Sequence, residues 1–272
     1  IAEVYHFLRF HYKQRPLEIA RLFEEWNREM PSLLLEISLD ILQTKEDDVF
    51  LIDRILDSAK QKGTGGWSTI AALELGVPLD TITAAVMARN ISARKKERVR
   101  ASEKYQLQKE TTHEKPEFPS LFKAYKIASI INHATGFDLL SEASKVYEWD
   151  LNLSAIARIW TNGCIIRSGF MEQLVEHLKE NKYTHLLLHD DIISEINRNT
   201  GAIKNTIAKA IKAGIAVPVL SAAENYFLSF TSEVTSANMI QAQRDYFGAH
   251  TYERTDSPRG EFFHTQWKEP NS

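Results

Sequence analysis

Ile19-Ala20-Arg21-Leu22-Phe23-Glu24-Glu25-Trp26 carries the pattern that decides the fold. Ile19, Leu22, Phe23 and Trp26 recur at helical spacing, while Arg21, Glu24 and Glu25 fall on the opposite face. A 3.6-residue period gathers such residues into one apolar stripe, which must be covered by another element. The same period runs through most of the chain. Pro31-Ser32 opens a second run with Leu34, Ile37, Ile41 and Leu42 on one face, and proline suits the first turn of a helix. Residues 49–60 read as a third helix. A short one spans Trp67 to Leu75, stopped by Gly76-Val77-Pro78. Asp80 is expected to cap the next, because its carboxylate can accept free N–H groups of a first turn. That helix carries Ile82, Val86, Met87 and Ile91.

Helical text resumes at Leu121, with Ala124, Ile127, Ala128 and Ile131 facing one way. Further helices fit 137–149, 152–180, 189–213 and 217–245, with candidate interruptions at Asn162-Gly163 and at Gly169. No strand-turn-strand pattern stands out. The predicted fold class is all-α, as one helical bundle or two packed helical halves. Residues 111–120 hold two prolines and no apolar stripe, which makes them the best internal break. From Phe247 the character changes. Gly248 and Gly260 interrupt the pattern, yet Tyr252, Phe262, Phe263 and Trp267 persist. A disordered tail is poor in aromatic residues, so 247–272 is expected to pack against its own domain, 1–246, or against a partner.

The 272 residues are 43% hydrophobic and 25% charged, with a net charge of −3. Nothing in that balance argues for nucleic acid or a membrane surface, and no apolar run is long enough to span a bilayer. The single cysteine, Cys164, lies in an apolar run and has no internal partner. It reads as a small buried hydrophobe in a reducing, cytoplasmic compartment. The chain opens at Ile1 in helical text, as expected for a segment of a longer protein.

The richest chemistry lies in Gln61-Lys62-Gly63-Thr64-Gly65-Gly66-Trp67. Glycines let several backbone N–H groups face one ligand. A helix beginning behind them adds partial positive charge, and Lys62 adds a full one. Spacing alone is equally consistent with a plain turn between helices. The segment matches neither the P-loop nor the dinucleotide fingerprint. Arg89 lies on the helix after next and can fold back toward Lys62, although a surface ion pair is the default for one arginine. Arg244 has Asp245 as an obvious local partner, and His250 follows a glycine. Arg167 is a further basic group in non-periodic text. The five cations of 94–100, Arg94, Lys95, Lys96, Arg98 and Arg100, fit the solvated end of a long helix. The nine histidines are scattered. His185 and His189 stand at i, i+4, but without a third ligand they read as exposed helix-start residues, and no metal is expected.

Taken together, Gln61–Trp67, Ala72–Pro78, Gly163–Ser168, Gln241–Tyr252 and Phe263-His264-Thr265-Gln266-Trp267 resemble the decarboxylating 6-phosphogluconate dehydrogenase family. The resemblance runs from about residue 1 to the end. It implies the all-helical C-terminal domain of such an enzyme, without the N-terminal Rossmann domain that holds NADP, and with a tail that threads into the other subunit of a homodimer. The family oxidises 6-phosphogluconate and releases CO2 to give ribulose 5-phosphate, without a metal. Its acid–base lysine and glutamate lie in a Lys-x-x-His-Asn-Gly-x-Glu-Tyr segment, which would precede Ile1, so no catalytic residue is expected in this chain. Carried over residue by residue, Lys62 and Thr64 match groups on the substrate phosphate side, and Arg89 matches an arginine on the same phosphate. Arg244 and His250 match groups supplied by the partner's tail. One departure is plain: Gly66 stands where the family has lysine. Two other readings are a helical interaction module without catalysis and a related β-hydroxyacid dehydrogenase.

Overall fold

The computed structural model describes residues 1–60, 62–105, 107, 115–179 and 183–268. Among these, thirteen α-helices account for nearly all regular structure. The chain forms two compact units, Ile1–Tyr226 and Phe227–Ser272.

In the first unit, α1 (Ala2–His6) runs into a π-helical turn, Phe7–His11. Helix α2 (Pro16–Glu29) starts with proline at its first position, and the Glu18 carboxylate accepts the Arg15 N–H at 2.7 Å. This arrangement satisfies a backbone group that the first turn cannot. The stripe read from the sequence is the buried one: Ile19, Leu22, Phe23 and Trp26 are all buried. It packs along α3 (Leu33–Gln43). Trp26 also lies 5.3 Å from the Phe122 ring and stacks 5.7 Å from Tyr125.

The 49–60 helix does not form. Lys45–Glu46 (β1) and Val49–Phe50 (β2) pair antiparallel about Asp47 and Asp48, both in the left-handed region. Such a two-residue turn matches the twist of a hairpin, and short polar side chains tolerate it. A 3-10 turn, Leu51–Arg54, follows. Helices α4 (Thr64–Leu75), α5 (Asp80–Ser92) and α6 (Lys95–Lys104) come next. Gly76 ends α4 at φ 67°. Asp80 is not a cap. Buried Leu79 occupies that position, no side chain accepts there, and Asp80 is the first helical residue.

Helix α7 (Phe118–Val146) is the axis of the unit, 29 residues long, or about 44 Å. Its buried residues include Ala124, Ile127, Ile130, Ile131, Ala134 and Phe137, and it packs against α4, α5, α8 and α11. Of the expected break at 111–120, residues 111–114 fall outside the described residues and 118–120 are already helical. The 152–180 run is two helices, α8 (Leu153–Trp160) and α9 (Gly169–His177). They part at a loop with Gly163 at φ 72°, and the Ser168 hydroxyl accepts Met171 N–H to start α9. The 189–213 run also divides, into α10 (Asp190–Asn197) and α11 (Thr200–Lys212). There the Asn199 side chain takes the Glu195 carbonyl at 2.9 Å. The 217–245 run becomes α12 (Pro218–Phe230) and α13 (Ala237–Gly248). Thr231 and Ser232 hydroxyls turn back onto Phe227 and Leu228 carbonyls, a bond that competes with helix continuation. Glu3, from α1, caps α12 by accepting Val219 and Leu220 N–H groups at 2.7 and 3.0 Å.

The second unit holds the end of α12, α13 and the tail. Tyr252 and Phe263 exchange two backbone bonds, folding the tail into a short antiparallel bridge.

Candidate functional site

The glycine loop leads directly into α4, and each of two glycines has a separate cause. Gly63 sits at φ 110°, which side-chain-bearing residues rarely adopt. A Cβ on Gly65 would stand 2.7 Å from Val86 Cγ2, so only glycine lets α4 approach α5 this closely. The Trp67 N–H closes the first turn onto the Gly63 carbonyl at 2.9 Å. Among the described residues no side chain caps α4. The amides of 64–66 are the donors that a helix start leaves unpaired. Thr64 and Lys62 are exposed beside them. An exposed cation, a hydroxyl and a row of amide donors suit a phosphate or carboxylate. Gln61 lies outside the described residues.

Arg89 reaches this loop. Its Nη2 donates to the Lys60 carbonyl, two residues before Lys62. The structure therefore brings Lys62, Thr64 and Arg89 onto one stretch of chain and the helix beside it. The cations of 94–100 differ from their sequence reading. They do not end a long helix. Lys95 and Arg98 lie on the separate α6 and grip Asp57 at 2.5 and 3.0 Å. Those bonds, Lys95 first, hold the Asp57 carboxyl below the usual carboxylate range, against an opposing effect of burial. Arg167 is paired with Glu36 at 2.7 Å.

Arg244 and His250 belong to the second unit. Arg244 does not pair with Asp245; its Nη1 donates to Gln241 Oε1 at 2.8 Å. Asp245 is fully buried and collects four donors: Thr251 N–H, His264 Nδ1, Thr265 N–H and Trp267 Nε1, at 2.8–3.0 Å. Burial alone raises such a carboxyl; here the bonds from His264, Thr265, Trp267 and Thr251 prevail and hold it far below its ordinary value. Sequence reading assigned Asp245 to its neighbour because the tail donors are too distant along the chain to pair by spacing. His250 follows Ala249 in the left-handed region. A Cβ on Gly248 would meet the His250 ring at 2.7 Å, so this glycine lets the imidazole fold back, edge-on to Phe247. The same unit carries an apolar groove of about 460 Å³ lined by Met239, Ala242, Gln243, Tyr246, Phe247 and Trp267.

His185 and His189 do not sit on one helix face. His185 is half-buried, begins a 3-10 turn (Leu186–Leu188), and lies 3.0 Å from the Tyr226 hydroxyl. Burial lowers its pKa, with nearby Asp138 opposing the change. His189 packs edge-on to His177. Among the described residues no cluster of three or more His, Cys, Asp or Glu side chains could hold a metal ion, and no helix is long and apolar enough to cross a membrane. Cys164, half-exposed, lies in the loop between α8 and α9.

The model of the 6-phosphogluconate dehydrogenase C-terminal domain matches residues 1–267. This chain belongs to that family. It is 43% identical over 274 residues to the decarboxylating 6-phosphogluconate dehydrogenase of Synechocystis sp., covering 98% of this chain and 57% of that protein. The enzyme of the same name from Caenorhabditis elegans is 42% identical over 275 residues, again with 98% and 57% coverage. Among solved structures, 6-phosphogluconate dehydrogenase from Plasmodium falciparum superposes with a TM-score of 0.91 at 35% identity, over 98% of this chain and 58% of that one. That enzyme was solved in its apo form, with its cofactor NADP+ and with its substrate 6-phosphogluconate. The chain thus spans a little over half the length of these relatives. The all-α expectation holds. Among the described residues there is no strand, glycine turn and helix that would cradle a dinucleotide; the one sheet is the two-stranded hairpin.

Proposed function

We propose that this chain is the substrate-binding and dimer-forming part of a 6-phosphogluconate dehydrogenase. The complete enzyme would use NADP to oxidise 6-phosphogluconate and release CO2, giving ribulose 5-phosphate in the pentose phosphate pathway of the cytoplasm. The observation that carries this reading is the start of α4, where Lys62, the Thr64 hydroxyl and uncapped amides share one surface with Arg89 alongside. A phosphate is the ligand whose charge and several acceptor oxygens match that set. The fork of an arginine can donate twice to one phosphate, which suits Arg89 and Arg244 to this work.

Arg244 and His250 are proposed to serve the site of a second subunit in a homodimer. Exposed aromatic residues support a partner surface: Trp67 is 71% exposed on α4 and Phe247 is 74% exposed on α13. The acid–base groups and the NADP site are assigned to the part of the enzyme that this chain does not span. Within this chain the residues hold and orient the phosphate end, so that the reacting end is presented elsewhere.

The test is direct. The full-length protein that carries this chain should reduce NADP when given 6-phosphogluconate, and the 272 residues alone should not. Absence of turnover in the full-length protein, beside an active relative assayed identically, would sink the reading. Turnover by the isolated chain would overturn the placement of the acid–base groups.

A further inference from the structure

Between the Leu51–Arg54 turn and α4, the described residues 55–60, 62 and 63 have no regular structure. A segment of that kind must find partners for its backbone groups or leave them to water. At Asp57, Ala59 and Lys60 the partners come from side chains on one corner, where α5 ends and α6 begins, while the Ser58 N–H turns onto the Leu56 carbonyl at 2.8 Å. Arg98 Nη2 donates to the Asp57 carbonyl at 2.9 Å. The Ser92 hydroxyl accepts the Ala59 N–H at 2.9 Å. Its single proton goes to the Arg89 carbonyl at 2.7 Å. Arg89 itself holds the Lys60 carbonyl. Arg98 Nη2 also reaches the Ser92 carbonyl at 3.2 Å, and with Lys95 it grips the Asp57 carboxylate.

The holding residues are Arg89, Ser92, Lys95 and Arg98, one every third position. Arg89 and Ser92 are neighbours on α5, and Lys95 and Arg98 on α6; the turn between the helices brings both pairs to the same segment. Each exposed pair contributes little alone. Their joint effect is geometric, since all of them act on Asp57, Ala59 and Lys60, the last of which lies two positions before Lys62.

We propose that this corner is the positioning device of the glycine loop: Ser92, Asp57 and Arg98 touch no substrate but set where Lys62 and the α4 amides meet the phosphate. The proposal rests on the substrate-binding reading above. Arg89 then has two roles, as a phosphate-binding group and as one of the loop's tethers. The predicted consequence is a loss of substrate affinity without a loss of chemistry.

The experiment uses the full-length protein that carries this chain. Ser92→Ala should raise KM for 6-phosphogluconate about three- to tenfold, as expected for losing one hydrogen-bonding partner, with kcat within about twofold. Ser92→Thr, which keeps the hydroxyl, should restore KM. Asp57→Asn should shift KM in the same direction by less. In a Lys62→Met background Ser92→Ala should raise KM by less than it does alone, because part of its effect runs through Lys62. Hydrogen exchange at the amides of 57–63 should accelerate in Ser92→Ala and not elsewhere. Unchanged KM in both Ser92→Ala and Asp57→Asn, or full additivity with Lys62→Met, would overturn the proposal. Should the wild-type protein fail to turn over 6-phosphogluconate, the substrate reading falls on its own. The positioning device is then judged by loop exchange and by protection of those amides with inorganic phosphate, and it fails if Ser92→Ala alters neither.

Discussion

The glycine loop and the tail present basic groups by opposite means. The loop is tied from outside, by exposed side chains of α5 and α6 acting on its backbone. The tail is tied from inside, by one buried carboxylate that gathers donors from residues 251, 264, 265 and 267. An external tether is weak bond by bond and tolerant of loss. An internal hub has no substitute, because removing it strands several donors together. The lesson is that two regions proposed for one substrate should differ sharply in how they fail.

The largest expected effect tests the hub. Asp245→Ala should release the whole tail, speeding exchange at the Thr251 and Thr265 amides by on the order of a hundredfold. Loop amides 57–63 should be untouched; an equal change in both regions would break the contrast. Acid should do the same by degrees. The folded-state pKa of Asp245 lies below its ordinary value of 3.8. Its contribution is therefore complete above that value and is lost as pH falls through the folded-state value. Trp267 fluorescence followed from pH 6 downward should report the tail loosening only in the acid range.

Next in size is Arg244→Ala. Losing one charged partner costs about 1.5–3 kcal/mol, so KM for 6-phosphogluconate should rise roughly ten- to a hundredfold while the thermal midpoint stays put. An unchanged KM would remove Arg244 from the substrate site. Gly65→Ala comes third. The added methyl meets Val86 at 2.7 Å, and overpacking of this kind costs about 1–3 kcal/mol. Thermal unfolding should show the loss, and Val86→Ala in the same protein should recover part of it. The smallest effect is Gly66→Lys, which returns the cation that relatives of this chain are expected to carry. It should lower KM a few-fold at low salt and fade as salt screens it; no salt dependence would mean that position 66 does not face the phosphate.

Much of this was legible along the chain. The stripe of Ile19, Leu22, Phe23 and Trp26 is buried as its period requires. Gly76 ends α4 where the Gly-Val-Pro stop placed it. The misread helix bounds arise where short polar side chains redirect the backbone. At 49–60 apolar residues suggested a helix, but Asp47 and Asp48 turn the chain back into a hairpin first. At 189–213 and 217–245 the period continues across the break, while the Asn199 and Ser232 side chains take the Glu195 and Leu228 carbonyls that a longer helix would have given to backbone N–H groups. Local polar competition of this kind is invisible to a count of apolar positions. The basic run at 94–100 was read as solvated because its partner, Asp57, lies 38 and 41 residues away from Lys95 and Arg98.

The sequence by itself determined the all-helical class, the family and the phosphate-suited composition of 62–67. Those rest on short-range periodicity and on motifs, which are local properties. Only the tertiary structure decided what Asp245, Ser92 and Asp57 do, and that Arg89 reaches the loop while Arg244 turns away from its neighbour. Hydrogen-bond partners are chosen by distance in space, and for these residues the chain brings the partner from 3 to 41 positions away.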